Sequence, residues 1–156
     1  MDSKVMFSRA SDEWATPRHV YADLHDEFDF DCDCAASSSN AKSDNWYGLD
    51  HPDPSRRDAL SNPWAPMTCW LNPPYSRCRD FIVKAALEAI EGATVVCLVP
   101  VRTDTAWWHE YVWDANRHTP REGVSIRFIK GRLKFGDATS GAPFPSVLVI
   151  FHARTR

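Results

Sequence analysis

Thr68-Cys69-Trp70-Leu71-Asn72-Pro73-Pro74-Tyr75-Ser76 is the stretch from which the fold can be worked out. Its apolar first half predicts a strand, and a helical pattern follows its end. Two consecutive prolines cannot continue a central strand or lie inside a helix, because each lacks an N–H group and holds φ at about −65°. We therefore predict a rigid loop at the carboxyl end of a strand, where ligands bind in open α/β sheets. This loop is our first candidate for an active site.

The residues after this loop predict a βαβ unit. Ser76 can cap a helix that runs to Glu91, and Gly92 is suited to end that helix. Residues 94–100 are almost entirely apolar, which is typical of a strand buried on both faces. Because a helix joins the two strands, we expect them to be parallel.

The residues before the loop predict a helix and an edge strand. Thr16 followed by Pro17 is a typical N-cap sequence, and apolar residues at helical spacing predict a helix over about residues 17–27. The segment 28–34 then alternates, so we expect three aspartates on one face and four apolar residues on the other: Phe28, Phe30, Cys32 and Cys34. At the strand's end, Asp33 either is solvated like the other aspartates or faces a ligand.

Residues 41–66 contain four prolines and are mostly turn-like. Within them, residues 46–50 predict a short strand that ends in Asp50, and residues 56–60 predict one helical turn or a loop. So long a segment with so little regular pattern is unusual in a compact domain unless it is functional.

The remainder of the chain predicts one more helix and two strands. Thr103-Asp104-Thr105 opens the helix, and residues 124–129 and 146–151 are the strands, which could pair as an antiparallel hairpin. The inward residues of this helix should be Trp107 or Trp108, Tyr111, Val112 and Ala115. The predicted fold is α/β, a Rossmann-like three-layer sandwich with a mostly parallel sheet and a C-terminal antiparallel hairpin. We expect one domain over residues 1–156, with 1–12 as a loose lead-in.

Composition narrows the class of protein. Hydrophobic residues make up 44% of the chain and charged residues 25%, as in ordinary globular proteins. No apolar run is long enough to span a bilayer and the amino end lacks a signal peptide's apolar core, so we expect a cytoplasmic protein with no membrane partner. The five cysteines form no CxxC pair, so we expect buried thiols and no metal. A net charge of −3 argues against strong non-specific binding to nucleic acid.

The Asn-Pro-Pro-Tyr loop is suited to activating an amino nitrogen attached to an aromatic or amide group. The lone pair of such a nitrogen is delocalised and reacts poorly. If the Asn72 side-chain oxygen and the Pro73 carbonyl accept its two hydrogens, the lone pair becomes available to an electrophile. Pro74 would fix the direction of that carbonyl, and Tyr75 offers a ring for stacking on a planar substrate. Catalysis would then depend on positioning and fixed dipoles.

Asn72-Pro73-Pro74-Tyr75 matches the [N/D]PP[Y/F] motif of S-adenosylmethionine-dependent amino-methyltransferases, and the chain resembles the phage-type DNA N-6-adenine methyltransferase family over about residues 12–152. The further matching segments are Trp14-x-Thr16-Pro17, Asp33 with the small residues after it, Asn40-Ala41-Lys42, Arg102-Thr103-Asp104-Thr105, Gly131-Arg132-Leu133-Lys134-Phe135-Gly136 and Ala142-Pro143-Phe144-Pro145. The resemblance implies S-adenosylmethionine as cofactor and DNA as substrate, with an adenine flipped out of the duplex.

The resemblance also assigns roles to individual residues. Asn72, Pro73, Pro74 and Tyr75 would hold the flipped adenine. The residues implied for the cofactor are Trp14, Thr16, Asp33, Asp50 and Asp58. Phe135 would offer a second aromatic surface to the base. One departure is that no glycine follows Asp33, where many methyltransferases carry a glycine-rich turn.

Several roles stay open at this stage. Asp58 could bind a ligand or form a surface ion pair with Arg56 or Arg57. Arg102 could contact DNA or form a structural salt bridge. Lys130, Arg132 and Lys134 could form a DNA-facing patch or a solvated charge run.

Three functions are compatible with these patterns. The first is a DNA adenine-N6 methyltransferase. The second is a methyltransferase for another amino group, namely cytosine N4, RNA guanine or protein glutamine. The third is a non-catalytic DNA- or protein-binding relative. For the first, we expect specificity to come from residues 38–66 and 131–145, and the enzyme to be a monomer or a homodimer.

Overall fold

The computed structural model describes residues 15–135, 141–142 and 144–154. Its helices and strands are, in chain order, α1 (Arg18–Phe28), β1 (Cys32–Asp33), β2 (Thr68–Leu71), α2 (Cys78–Ile90), β3 (Thr94–Pro100), a π-helical turn (Trp108–Val112), β4 (Trp113–Asp114), β5 (Thr119–Pro120), β6 (Val124–Phe128) and β7 (Ser146–Phe151). Strands β4 and β5 form a separate small hairpin.

The central sheet has five strands in the order β1-β2-β3-β7-β6. Strands β1, β2 and β3 are parallel, and Trp70 of β2 lies between Asp33 of β1 and Val96 of β3. Strand β7 is antiparallel to both β3 and β6. The fold is therefore α/β with a mixed sheet, which confirms the predicted parallel pair and the predicted antiparallel pair at the C-terminal end.

Alternate residues of β3 pack on opposite faces of the sheet, as its apolar sequence predicts. Val95, Cys97 and Val99 belong to a core shared with α2, whereas Val96 and Leu98 belong to a core shared with Leu24 of α1. The sheet thus lies between two apolar layers. All the residues of β3 except Thr94 are buried, and each large apolar side chain so buried contributes about 1.5–3 kcal/mol to stability.

The predicted alternation over residues 28–34 is wrong. Helix α1 continues through Phe28, and Asp29 then adopts a left-handed conformation with φ of 56°. The chain bends again at Asp31, between Phe30 and Cys32, so Phe30 packs against Trp70 in the α1 core while Cys32 and Cys34 lie in the α2 core. Asp33 is 3% exposed, so its carboxylate is not part of a solvated face.

The observed ends of α2 agree only partly with the ends that the sequence predicts. Ser76 does not cap it, because residues Tyr75–Arg77 first form a 3₁₀ turn and α2 begins at Cys78. At the other end Gly92 has φ of 117°, and the N–H groups of Gly92 and Ala93 donate to the carbonyls of Ala89 and Glu88. Gly92 therefore terminates the helix as predicted, since this conformation favours glycine.

The third predicted helix is shorter than expected. Residues 103–105 form a turn, the helical part ends at Val112, and the β4–β5 hairpin follows. Trp107, Trp108 and Val112 are buried, as predicted, but Ala115 is exposed because the chain has already left the helix.

The predicted strand over residues 46–50 is wrong, because only Trp46 makes a β-bridge, to Asp33, and residues 49–50 form a turn. The segment 41–66 is instead built from turns and two 3₁₀ helices (Pro54–Arg56 and Ala59–Ser61). Its far end is fixed to α2, where the Glu88 carboxylate accepts hydrogen bonds from the backbone N–H groups of Trp64 (2.9 Å) and Ala65 (3.5 Å).

All five cysteines are buried and free, which confirms the predicted thiols. Among the described residues, no helix combines the length and the apolar character needed to cross a membrane.

Candidate functional site

A cavity of about 870 Å³ opens beside the carboxyl ends of β1 and β2. Six of the residues that the sequence singled out line it: Thr16, Asp33, Asp50, Asp58, Asn72 and Pro74. Parallel strands end at one edge of a sheet, so the segments after β1 and β2 meet there. The irregular segment 41–66 supplies the facing wall. Three cationic side chains also line the cavity: Lys42, Arg57 and Arg77.

Asp33 is the buried acid of this cavity. Its carboxylate accepts hydrogen bonds from the backbone N–H groups of Lys42 (3.0 Å) and Ala35 (3.4 Å). Burial raises the pKa of Asp33 to about 6, although these two hydrogen bonds and the Lys42 charge act in the opposite direction. A buried carboxylate whose ionisation is unfavourable and which faces a cavity is a candidate ligand-binding group.

Asp50 lies at the exposed edge of the cavity. Its carboxylate accepts hydrogen bonds from the Ser38 hydroxyl (2.7 Å) and backbone N–H (3.0 Å). The hydrogen bond from the Ser38 hydroxyl is the main cause of the lowered pKa of Asp50, and the hydrogen bond from the Ser38 backbone acts in the same direction. Asp50 therefore ties the turn at 49–50 to the small-residue segment after β1.

Asp58 is also exposed and caps the second 3₁₀ turn, accepting hydrogen bonds from the Leu60 N–H and the Ser61 hydroxyl. The Ser61 hydrogen bond is the main cause of its lowered pKa. The two arginines considered as its ion-pair partners instead donate to backbone carbonyls, Arg56 to Trp46 and Arg57 to His51.

A glycine in the facing wall brings two backbone segments unusually close. A Cβ atom on Gly48 would lie 1.9 Å from the carbonyl oxygen of Ala36. The backbone N–H of Ala36 also donates to the Tyr47 carbonyl (2.9 Å). The turn after β1 lacks a glycine of its own, and the glycine at this wall lies on the neighbouring segment instead.

The Asn72 amide is hydrogen-bonded to a residue 56 positions earlier in the chain. Its nitrogen donates to the Thr16 hydroxyl oxygen at 3.0 Å. The prediction that Thr16 caps α1 is wrong, because Pro17 occupies the N-cap position and no side chain caps that helix end. Pro73 is buried, and Pro74 is extended (φ −61°, ψ 134°), so the loop has the rigid, non-helical shape that its prolines predict.

Three aromatic rings cluster beside the loop. Phe144 packs edge-on against Tyr75, with ring centroids 5.1 Å apart, and Phe135 packs against Phe144 at 6.1 Å. Phe135 is buried. Phe144 therefore contacts both Tyr75 and Phe135.

The predicted basic residues lie at the same edge of the sheet. Arg102 follows the end of β3. Burial raises the pKa of Tyr75 and of Cys78, and the charge of Arg102 acts in the opposite direction. Lys130 and Arg132 follow the end of β6, and all three basic side chains are exposed. Since β6 runs in the same direction as β3, these residues border the loop side of the sheet.

Sequence reasoning missed several parts of this site. Phe144 and Lys42 lie in segments noticed only through the resemblance, while Ser38, Gly48 and Arg77 were given no role. A lone glycine within the turn-rich segment 41–66 was an available signal for a close backbone approach. Trp14 and Pro143 lie outside the described residues. Within the described ranges, no cluster of His, Cys, Asp or Glu could hold a metal ion.

Comparison with known proteins finds similarity to one family. A sequence model of the DNA N-6-adenine-methyltransferase (Dam) family matches residues 3–156. The DNA N-6-adenine-methyltransferase of Haemophilus phage HP1 (strain HP1c1) is 30% identical over 146 residues, which cover 92% of this chain and 80% of that protein. The DNA N-6-adenine-methyltransferase of Escherichia phage T1 is 36% identical over 102 residues, covering 64% of this chain and 40% of the relative.

Proposed function

Because the chain belongs to the DNA N-6-adenine-methyltransferase (Dam) family, we propose that it transfers a methyl group from S-adenosylmethionine to the N6 amine of an adenine in DNA. The observation that carries this proposal is the Asn72-Pro73-Pro74-Tyr75 loop at the end of β2, bordering a cavity of about 870 Å³ that contains a buried carboxylate. The two apolar layers around the mixed sheet fit a Rossmann-like methyltransferase fold.

The cavity suits S-adenosylmethionine in size and in chemistry. Its volume falls within the usual range for small-molecule sites, about 300–1,000 Å³. When bound, S-adenosylmethionine supplies an electrophilic methyl group on a sulfonium centre. Asp33 would hold the ammonium group of the amino-acid portion or the ribose, Asp50 the ribose hydroxyls and Asp58 the adenine amino group. The close contact between the backbones of Gly48 and Ala36 holds the facing wall of the cavity against the turn after β1.

The loop residues would orient the reacting amine of the DNA base. The Asn72 side-chain oxygen and the Pro73 carbonyl accept the two N6 hydrogens, which directs the nitrogen lone pair toward the methyl group. Pro74 keeps the Pro73 carbonyl in a fixed direction. Such prearranged dipoles need little reorganisation during the reaction, and loss of one typically costs about 10²-fold or more in rate.

The aromatic cluster would receive the flipped base. Extruding an adenine from the duplex costs a few kcal/mol, and stacking on an aromatic ring contributes about 1–3 kcal/mol per base. Tyr75 supplies that ring, and Phe144, backed by Phe135, fixes its orientation from the side.

The exposed cations at the same edge would contact the DNA backbone. Arg102 is next to the loop, and Lys130 and Arg132 extend the basic surface toward β6. Phosphate contacts fix the register of a protein on the duplex without reading its sequence.

Incubation of the protein with tritiated S-adenosylmethionine and unmethylated DNA, followed by hydrolysis to nucleosides, tests the function directly. The expected product is labelled N6-methyladenine. Asn72→Ala should lower its formation about 10²-fold or more, with affinity for S-adenosylmethionine, measured by calorimetry, kept within a few fold. Asn116→Ala, on the exposed turn of the small hairpin, is the matched control and should leave the rate unchanged.

Other results would point elsewhere. Label in N4-methylcytosine would show that the protein methylates cytosine instead of adenine. Label found in RNA or protein alone would show that DNA is not the substrate. Absence of cofactor binding would indicate a non-catalytic relative. Unchanged turnover in Asn72→Ala would refute the role given to that amide.

A further inference from the structure

The hydrogen bond between Asn72 and Thr16 links the proposed catalytic loop to the segment before α1. Thr16 is 5% exposed and lies directly before Pro17, where a threonine ordinarily caps a helix. In this chain its hydroxyl oxygen instead accepts a hydrogen bond from the Asn72 amide nitrogen, 3.0 Å away. The side chain is therefore used by the loop and not by the helix that follows it.

This contact has a consequence for the direction of the amide. A carboxamide is planar, with its donor NH₂ and its acceptor oxygen on opposite sides. When the nitrogen of Asn72 points at Thr16, its oxygen points away from Thr16. A half-turn of the amide would exchange the two ends and present the NH₂ group to an amine, which is also a donor. The Thr16 hydroxyl can accept or donate, so it holds the amide in place in either orientation, and the N6 amine, which is a donor, selects the orientation in which the Asn72 nitrogen is bonded to Thr16.

We propose that Thr16 is a positioning residue for methyl transfer, which anchors the side-chain amide of Asn72 through this hydrogen bond while the carbonyl end of the amide faces the adenine N6 amine. This inference rests on the function proposed above. It differs from the cofactor role that the family resemblance implies for Thr16. A residue that only binds the cofactor changes cofactor affinity, whereas a residue that orients Asn72 changes the rate at saturating substrates.

Two matched substitutions separate these roles. Thr16→Val keeps the shape but removes the acceptor, and Thr16→Ser keeps the acceptor. At saturating S-adenosylmethionine and DNA, Thr16→Val should lower kcat about fivefold to tenfold, the effect of losing one neutral hydrogen bond, while Thr16→Ser stays within about twofold. Affinity of Thr16→Val for S-adenosylmethionine should remain within about threefold. In the Asn72→Ala background, Thr16→Val should cause no additional loss.

A second measurement needs neither cofactor nor DNA. The side-chain NH₂ resonances of Asn72 can be identified by NMR as the pair that disappears in Asn72→Ala. They should shift in Thr16→Val and stay close to their original positions in Thr16→Ser. If Thr16→Val does not fold, as judged by its melting temperature, Thr16→Ala takes its place in both measurements.

The proposal would be overturned by a normal kcat in Thr16→Val, with or without weakened cofactor binding, or by unmoved Asn72 amide resonances. A further loss in the Asn72→Ala background would also overturn it, because Thr16 would then act through another group. If the wild-type protein does not label adenine N6, the proposed function fails, and the NMR result still shows separately whether Thr16 orients Asn72.

Discussion

Replacing Asp33 by asparagine should stabilise the protein at alkaline pH. Asp33 is buried, and its pKa in the folded protein is about 6, against an ordinary value of 3.8. The ionised carboxylate is therefore disfavoured in the folded state. A difference of about two pH units corresponds to about 3 kcal/mol, which is a cost that the native protein carries when this group is charged.

The pH dependence of that cost has a definite sign. The folded pKa lies above the unfolded one, so the cost is absent below both values, grows as the pH rises between them and is complete above about pH 7. About half of it is present at pH 5. The Asp33→Asn substitution removes this cost, but the new amide can accept only one of the two hydrogen bonds from Lys42 and Ala35, a loss of about 1 kcal/mol that does not vary with pH.

Thermal unfolding of the ligand-free protein at pH 8 and pH 5 measures the difference. We expect Asp33→Asn to be more stable than the wild type by about 2 kcal/mol at pH 8, and this advantage to shrink by about 1.5 kcal/mol at pH 5. The corresponding change in the Tm difference is roughly 3–6 °C. Asp50→Asn is the matched control with the opposite sign, because hydrogen bonds from Ser38 lower the pKa of Asp50 and its charge favours the folded state at neutral pH. A Tm difference for Asp33→Asn that is constant from pH 5 to pH 8, or a less stable variant at pH 8, would refute the reasoning.

Three further predictions concern the cavity wall, the aromatic cluster and the basic edge. Gly48→Ala places a methyl group 1.9 Å from the Ala36 carbonyl oxygen, so we expect a loss of about 1–3 kcal/mol in stability and weaker binding of S-adenosylmethionine by calorimetry; normal values for both would show that this close approach is not needed. Tyr75→Ala should weaken DNA binding and turnover together, while Tyr75→Phe, which keeps the ring, retains most of both; equal activity of the alanine variant would exclude stacking. Arg102→Gln should weaken DNA binding and reduce the slope of log K against log salt by about 1, and an unchanged slope would place this side chain away from phosphate.

The sequence predicts well those parts of the fold and site that depend on the conformational preferences of neighbouring residues. Consecutive prolines at 73 and 74 require a loop, and the apolar sequence of β3 requires a strand buried on both faces. Local rules of this kind act within a few residues, so they also identify Gly92 as the end of α2. The position of Asn72 at the carboxyl end of β2 follows from these features alone.

The remainder depends on contacts between distant residues. Thr16 followed by Pro17 is a helix-cap pattern. The hydrogen bond from Asn72 to Thr16 forms only because the fold brings the segment before α1 to the end of β2. No alternation rule anticipates the left-handed conformation of Asp29 or the bend at Asp31, and the bend lies between Phe30 and Cys32, which belong to different cores. Phe144 reaches Tyr75 because β7 lies beside β3, which depends on the sheet order.

The attachment of residues 41–66 also bears on how members of such a family can diverge. Near one end, this segment is joined to β1 because the Asn45 carbonyl and the Tyr47 N–H are hydrogen-bonded to the backbone of Asp33. The other end is held by Glu88, whose carboxylate accepts hydrogen bonds from backbone N–H groups. Most of these attachments use main-chain atoms, which every amino acid except proline supplies in full. The exposed side chains between them can therefore be exchanged without detaching the wall of the cavity. A protein built this way can change the surface chemistry of this segment by substitution while its sheet and its Asn-Pro-Pro-Tyr loop stay the same.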